Sequence, residues 1–261
     1  MAPARGDLER PSGIGDLMHL HRSLLMSVLA GLTLAGAFVT RGFAQAGPQS
    51  PSLPRFPLSS TALLVVDPYN DFLSEGGKLW ERTKETATTQ GLVEHMKQAL
   101  AAARSHNVKV FIVPHRRYQP GDWQGSRFLP YRGTLPGIEK SQLFARGSWG
   151  GEFRAEFAPR PGDVVASEHW ISSGFANTDL DMQLKQHAID HIVLMGMRAN
   201  TCIESTLRES VELGYHATVL SDAVAAFNLT ELKASLEVNY PIYAHALLTT
   251  ERFIAALGES K

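Results

Sequence analysis

The chain lacks the features that mark several common classes of protein. It has one cysteine, Cys202, in 261 residues, so no intramolecular disulfide can form and the core alone must hold the fold. The formal net charge is −1, and without a basic excess the sequence does not indicate a nucleic-acid-binding protein. Neither GxGxxG after a strand nor GxxxxGK[ST] is present, so nucleotide binding has no support.

Charged residues are also missing from an apolar run near the N-terminus, residues 23–39. The basic stretch HLHR precedes this run and an Ala-x-Ala site ending at Ala46 follows it, an order typical of a secretory signal peptide. We therefore predict a signal peptide over residues 1–46, with Met18 as an alternative start, and an exported protein, periplasmic or secreted, with no membrane association after cleavage. The run is long enough for a retained membrane anchor, and the sequence leaves this alternative open.

The rest of the chain predicts a linker, residues 47–57, and one domain, residues 58–261. Within the domain, short apolar runs without polar alternation predict buried parallel strands. The predicted strands are 61–66, 108–113, 163–167, 191–196, 217–220 and 246–249. The predicted helices are 88–106, 178–187, the segment from Cys202 to Gly214, 231–238 and 251–257. This alternation predicts an α/β fold, a Rossmann-like three-layer α/β/α sandwich with a mainly parallel sheet of about six strands.

Polar residues stand at the ends of three predicted strands, the edge at which ligands bind to such sheets. Asp67 follows the first strand, Glu168 and His169 follow the third, and Cys202 begins the helix after the fourth. A thiol in the first turn of a helix faces unpaired N–H groups and the positive end of the helix dipole, which favour the thiolate. Cys202 is therefore a candidate nucleophile. Two alternatives stay open: Cys202 as a small buried hydrophobic residue and Asp67 as the cap of a turn.

The segment after the second strand, residues 114–151, is long and has little periodicity. Such segments inside compact domains usually form a lid or a binding loop, although loop packing or solvent exposure would also account for the side chains. The side chains there that could contact a ligand are His115, Arg116, Arg117, Trp123, Arg146 and Trp149. A partly aromatic pocket is suggested by Trp123, Phe128, Phe144, Trp149 and Trp170.

Three ordered motifs resemble the isochorismatase-like cysteine hydrolases, over roughly residues 58–258. LLVVDPYNDF resembles the first strand of that family with its aspartate, and PGDVV followed by SGFANTDLDMQL resembles the third strand and its helix. GMRANTCIEST with GYHATVLSDA resembles the nucleophile turn and the strand after it. The resemblance implies the isochorismatase-like hydrolase fold, a small-molecule substrate and a homo-oligomer.

The resemblance also implies roles for individual residues. Cys202 would attack a carbonyl carbon to form an acyl-enzyme, and Asp67 would take the thiol proton and return it to the leaving amine. The backbone N–H groups of Arg198 and Cys202 would hold the oxyanion, with a cis peptide between Met197 and Arg198.

The chain departs from the family at the catalytic lysine. Between the PGD motif and Phe175 the chain is one residue longer than the family pattern. The position of the family lysine is therefore Glu168 when residues are counted forward from PGD, and His169 when they are counted back from Phe175. Two neighbouring carboxylates cannot both ionise easily. We therefore hypothesise that Glu168 and Asp67 share a proton, with His169 or a loop arginine supplying positive charge. The loss of the lysine also leaves open the loss of catalysis.

The predicted catalytic residues are Asp67, Glu168 and Cys202. The predicted substrate-binding residues are Phe72, His115, Arg116, His169, Trp170 and the Arg198 backbone. The nicotinamidases of this superfamily place an Asp and two His around a metal, but VPHRRY lacks their D-x-H spacing, so we predict no bound metal and no cofactor. The predicted function is cleavage of an amide-type C–N bond. The alternatives are hydrolysis of a non-amide bond and a catalytically impaired ligand-binding protein.

Overall fold

The computed structural model describes residues 53–122 and 141–260. The strands in these ranges are β1 (Thr61–Val66), β2 (Lys109–Val113), β3 (Val164–Val165), β4 (His191–Met197), β5 (His216–Ala225) and β6 (Ala246–Leu248). They form one sheet in the order β3-β2-β1-β4-β5-β6, and every neighbouring pair is parallel. This arrangement confirms the predicted α/β fold class.

Helices lie on both faces of the sheet. The α-helices are α1 (Asn70–Leu73), α2 (Trp80–Gln90), α3 (Leu92–Ser105), α4 (Leu180–Gln186), α5 (Glu204–Glu212), α6 (Leu229–Lys233), α7 (Tyr240–Tyr243) and α8 (Thr250–Glu259). Two π-helical segments (Ala199–Ile203 and Ala234–Asn239) and three short 3-10 turns (Leu58–Ser60, Trp149–Gly151 and Ala155–Phe157) complete the described elements. Within the described residues, no helix is both long enough and apolar enough to cross a membrane.

The core consists of two clusters, one on each face of the sheet, because neighbouring residues of a strand point to opposite faces. Leu63 of β1 packs with Met96 of α3 and Phe253 of α8 in one cluster. Leu64, the next residue of β1, packs with Leu207 of α5 in the other. All six residues of β1 are buried, which explains why this strand is an unbroken apolar run.

Several predicted elements have different boundaries in the structure, and two of the differences have a clear cause. The predicted helix 88–106 is two helices, because Gly91 has a φ of 59° and ends α2 before α3 begins. The predicted strand 217–220 continues to Ala225, and its pairing with β4 shifts register between Leu194 and Gly196. Such an irregularity lengthens one strand relative to its neighbour, which an apolar run in the sequence does not reveal.

Gly196 allows β1 and β4 to approach each other closely at the edge that carries the polar residues. Its φ is 119°, and a Cβ atom there would lie 2.1 Å from the carbonyl oxygen of Val66. Only glycine fits this position without moving a strand. Val66 directly precedes Asp67, so the contact sets the distance between the end of β1 and the end of β4.

The predicted signal peptide, residues 1–46, and most of the predicted linker lie outside the described residues. Two residues of the suggested aromatic pocket, Trp123 and Phe128, also lie outside them.

Candidate active site

Asp67 lies at the carboxyl end of β1 and is completely buried. Its backbone has a φ of 52°, a conformation that aspartate tolerates better than most residues, and its N–H donates to the Val113 carbonyl at 3.1 Å. The carboxylate Oδ1 is 3.1 Å from His169 Nε2. The other oxygen, Oδ2, has no hydrogen-bond partner. The backbone therefore fixes a buried carboxylate that has one oxygen available.

His169 faces Asp67 because one extra residue enters the β3 side of the sheet. In β2 and β3, Phe111 pairs with Val164. The same register would pair His115 with residue 168, but His115 pairs with His169. The backbone of His169 continues the ladder, since its N–H donates to Pro114 at 2.9 Å. Neighbouring extended residues point to opposite faces, so only one of residues 168 and 169 can reach Asp67.

Cys202 lies in the π-helical turn between β4 and α5 and is 5% exposed. Burial raises the pKa of its thiol well above the usual value, and the nearby Asp67 carboxylate raises that pKa further. The Thr201 hydroxyl, 3.8 Å from the sulfur, and the Arg198 backbone N–H lower the pKa by smaller amounts. In the resting protein, burial therefore opposes the thiolate that the backbone N–H groups favour.

Asp67, His169 and Cys202 form a compact group, here called the active-site group. The carboxylate oxygen, the imidazole nitrogen and the sulfur all lie within 4.8 Å of one another. The Met197–Arg198 peptide is cis, as the sequence resemblance implies. A nucleophile, a carboxylate that can accept its proton and a backbone N–H beside the sulfur thus meet at one point.

Glu168 lies against three arginines and not against Asp67. Its carboxylate accepts hydrogen bonds from Arg117 Nε at 2.6 Å and from Arg146 at 3.1 Å, and Arg116 Nη1 is 3.5 Å away. The described contacts of Asp67 do not include Glu168. The hypothesis that these two carboxylates share a proton is therefore wrong. A catalytic role for Glu168 loses its geometric support as well, because this side chain binds arginines of the segment 114–151 and does not belong to the active-site group.

The residues predicted to bind substrate fall into two classes. Those around the active-site group include His115, whose ring packs 5.0 Å from that of His169, and Trp170, which is 37% exposed and lies under the guanidinium of Arg116. Phe72 belongs instead to the hydrophobic core, where its ring lies 4.9 Å from that of Phe144. Substrate binding by Phe72 is thus not supported.

Two further side chains have positions that the sequence does not predict. The Arg198 side chain lies over the Phe227 ring at 3.7 Å, although its backbone N–H lies at the sulfur of Cys202. Trp149, within the segment 114–151, is 55% exposed. Neither position has a signal in the spacing of the sequence.

Two supporting residues were missed from the sequence. The Tyr69 hydroxyl donates to the His115 carbonyl at 2.7 Å and so holds the backbone next to the active-site group. The buried Asp71 carboxylate accepts from the Lys78 and Phe144 backbone N–H groups at 3.0 and 2.8 Å, which attaches the loop to α1. Both residues belong to the YND motif just after Asp67. This closeness in sequence to a strand-end aspartate was the signal that could have identified them as supporting residues.

The sequence and the fold are similar to those of known proteins. Residues 61–251 match the isochorismatase domain. Ureidoacrylate amidohydrolase RutB from Serratia proteamaculans (strain 568) is 34% identical over 184 residues, which cover 67% of this chain and 74% of that protein. A cysteine hydrolase from Pseudomonas syringae pv. phaseolicola 1448A has a TM-score of 0.67 and 29% identity, covering 82% of this chain and 100% of that one. N-carbamoylsarcosine amidase from Thermoplasma acidophilum has a TM-score of 0.56 and 28% identity, covering 74% of this chain and 97% of that one. The chain belongs to the isochorismatase-like family of cysteine hydrolases.

Proposed function

We propose that this protein hydrolyses the terminal C–N bond of a small ureido or amide compound through an acyl-enzyme on Cys202. The observation that carries the proposal is the convergence of Asp67, His169 and Cys202 within 4.8 Å. The names of two relatives add support, because ureidoacrylate and N-carbamoylsarcosine are both substrates with a terminal carbamoyl group.

Acylation begins from a neutral thiol, since burial keeps the pKa of Cys202 high. The S–H proton moves to the Asp67 carboxylate as the sulfur attacks the carbonyl carbon, so a free buried thiolate need not accumulate. The Arg198 backbone N–H, which already stands at the sulfur, donates to the oxygen that becomes negative. Asp67 then passes the proton to the leaving nitrogen, the C–N bond breaks, and ammonia leaves a thioester on Cys202.

Deacylation uses the same residues in reverse. Asp67 takes a proton from a water molecule that attacks the thioester carbon, the C–S bond breaks, and the proton returns to the sulfur. The net reaction consumes one water and yields ammonia and a carboxylate or carbamate. We propose that His169 is a positioning residue, because its Nε2 lies 3.1 Å from Oδ1 of Asp67 and leaves Oδ2 without a hydrogen-bond partner, available to take the thiol proton.

The test is ammonia release from a panel of ureido acids and simple amides. We expect Cys202→Ala to abolish release and Asp67→Asn to lower kcat by about 10²–10⁴-fold, the usual contribution of a general base. His106→Gln is the matched control, since His106 is a partly exposed histidine at the end of α3 and has no described contact with the active-site group, and it should keep the wild-type rate. Wild-type release that survives in Cys202→Ala would contradict the proposal, as would turnover of a non-amide substrate alone.

Alkylation separates an enzyme from a ligand-binding protein of the same fold. Cys202 is the single cysteine of the chain, so every iodoacetamide adduct reports on this residue. If Asp67 accepts the thiol proton during attack, native wild-type protein should be labelled faster than native Asp67→Asn. Equal rates in these two proteins, together with no turnover, would favour the binding protein.

We also propose that the protein acts outside the cytoplasm and forms a homo-oligomer. The first proposal is supported by the apolar run and the Ala-x-Ala site, and N-terminal sequencing of the protein from a cell that expresses the full chain tests it: a mature start at Gly47 is expected. The second is supported by exposed Val238 and Ile242, one helical turn apart and 60% and 68% exposed. A monomer mass in light scattering would contradict it.

A further inference from the structure

The active-site group consists of three residue types that bind metal ions. Asp67, His169 and Cys202 each offer one ligand atom, and all three side chains are buried. Among the residues that the structure describes, no other set of three or more His, Cys, Asp or Glu side chains brings its ligand atoms together in this way. Carboxylate oxygen, imidazole nitrogen and thiolate sulfur together suit a borderline-soft ion such as Zn²⁺ better than Mg²⁺ or Ca²⁺.

The separations are close to those of a zinc site. Zinc binds nitrogen and oxygen at about 2.0–2.2 Å and sulfur at about 2.3 Å, so tetrahedral ligand atoms lie roughly 3.3–3.7 Å apart. His169 Nε2 and Asp67 Oδ1 are 3.1 Å apart, and the sulfur completes a triangle whose longest side is at most 4.8 Å. Rotation of the Cys202 side chain about one torsion adjusts its distance, and three ligands leave a fourth position for water.

Two buried polar atoms of the active-site group have no partner. They are Oδ2 of Asp67 and Nδ1 of His169, and both residues are 0% exposed. A buried carboxylate is stable only when a cation or hydrogen bonds compensate it. A divalent ion bound by Asp67 would supply that compensation for the carboxylate. Nδ1 of His169 is not a ligand of this ion, because Nε2 binds it. A lysine at the position of His169 could not be a metal ligand, because its ammonium group has no lone pair. The imidazole of His169 has one.

We propose that Asp67, His169 and Cys202 bind a zinc-type divalent ion, and that the ion inhibits the enzyme by occupying the sulfur of Cys202. On binding, the S–H bond breaks, the proton leaves to solvent, and the sulfur lone pair forms the S–Zn bond. His169 donates its Nε2 lone pair and Asp67 donates one oxygen, so one carboxylate and one thiolate balance the double positive charge. No oxidation or reduction takes place.

The sequence predicts no bound metal, on the ground that His115 lacks the D-x-H spacing. The zinc proposal departs from that prediction and uses different residues, Asp67, His169 and Cys202. It also does not depend on which bond the enzyme cleaves. Binding and turnover can therefore be tested separately.

The direct test titrates the purified protein with Zn²⁺ against a chromophoric chelator, and with Co²⁺ in an absorption experiment. We expect one ion per chain and a thiolate-to-cobalt charge-transfer band. Loss of a residue that only supports a metal ligand typically weakens metal binding 10–100-fold. His169→Lys and His169→Gln should each weaken Zn²⁺ binding by more than this, because they remove a direct ligand. His106→Gln should bind as the wild type does, and circular dichroism of the metal-free variants checks that they fold. Equal affinity in wild type and His169→Lys, or a cobalt complex without the thiolate band, would overturn the proposal.

The inhibitory role has its own readout. Zn²⁺ at saturation should slow iodoacetamide labelling of Cys202 and ammonia release in parallel, and a chelator should restore both. Labelling that stays at the metal-free rate when one ion is bound would overturn the role of Cys202 as a ligand. If zinc binds as proposed but no amide is hydrolysed, the metal site stands and the proposed function fails; if amides are hydrolysed and zinc does not bind, the reverse holds.

Discussion

Gly196→Ala should damage both stability and activity, because this glycine sets the spacing of the two strands that carry the active site. Gly196 pairs with Val66 in the β1–β4 ladder, and its φ is 119°. Asp67 follows Val66 directly, and the cis peptide before Arg198 lies just beyond Gly196. A side chain at this position pushes the carboxylate and the Arg198 amide apart.

The size of the effect follows from the contact distance. The new Cβ atom would stand 2.1 Å from the Val66 carbonyl oxygen, whereas real Cβ contacts are essentially never under 3.0 Å, so the strands must separate by close to an ångström. Overpacking of this kind costs about 1–3 kcal/mol. The left-handed backbone adds about 1–3 kcal/mol for a residue with a side chain. We therefore expect a loss of about 2–6 kcal/mol in the free energy of unfolding, a large fraction of the stability of an ordinary domain.

Urea denaturation, compared with a matched control, measures this loss. Gly258→Ala introduces the same methyl group in α8, where a Cβ would meet no atom within 4 Å. This control should be neutral or gain up to about 1 kcal/mol, since alanine is the better helix former. The surviving native Gly196→Ala protein should also release ammonia on the order of 10²-fold more slowly, as misplacement by about 1 Å often does. A urea midpoint equal to that of the wild type would refute the steric reasoning.

Three further predictions follow from the site and its support. Glu168→Gln should lower the free energy of unfolding by about 1–3 kcal/mol in urea denaturation, because three arginines lose their shared carboxylate. The rate of Cys202 alkylation should stay at the wild-type value, and a slower rate would restore a catalytic role to Glu168. Asp71→Asn should cost about 1–3 kcal/mol in the same assay, since the Phe144 and Lys78 N–H groups lose a charged acceptor. Burial and two stacked histidines lower the pKa of His216, so the unfolded chain binds its proton first as the pH falls. The stability that neutral His216 provides is complete above the unfolded pKa of about 6.5 and declines below it, and His216→Gln should flatten that part of a stability-against-pH curve; an unchanged slope would contradict the assignment.

The sheet could be predicted from the sequence because buried parallel strands leave a direct record in it. The apolar run 61–66 became β1 with the same boundaries, and both its faces are covered. Helix α2 left no comparable record: polar residues fill most of the segment Trp80–Gln90, and three of its residues are buried, two of them threonines. Its stability comes from tertiary contacts, which apolar spacing does not reveal.

The site could be predicted only as far as strand ends determine it. Asp67 and Cys202 stand where the carboxyl ends of β1 and β4 bring them together, as the sequence predicts for any parallel sheet. The choice between Glu168 and His169 could not be made, because it depends on an extra residue that enters between the end of β3 at Val165 and His169. A one-residue change in register turns every following side chain to the other face, and composition carries no record of it.

The same extra residue accounts for two properties of the site. It turns Glu168 outward, where a carboxylate is useful to three arginines, and it brings His169 against Asp67. A lysine in that place would supply a fixed positive charge and no lone pair, so it would support an anionic nucleophile and exclude a metal. A histidine can be neutral, and a neutral imidazole next to a carboxylate and a thiol both permits proton transfer from sulfur to Asp67 and completes a set of metal ligands. His169→Lys therefore separates the two chemistries in one protein. It should weaken zinc binding by more than 10–100-fold, and it should keep a thiol that iodoacetamide labels at least as fast as in the wild type, because the ammonium compensates Asp67.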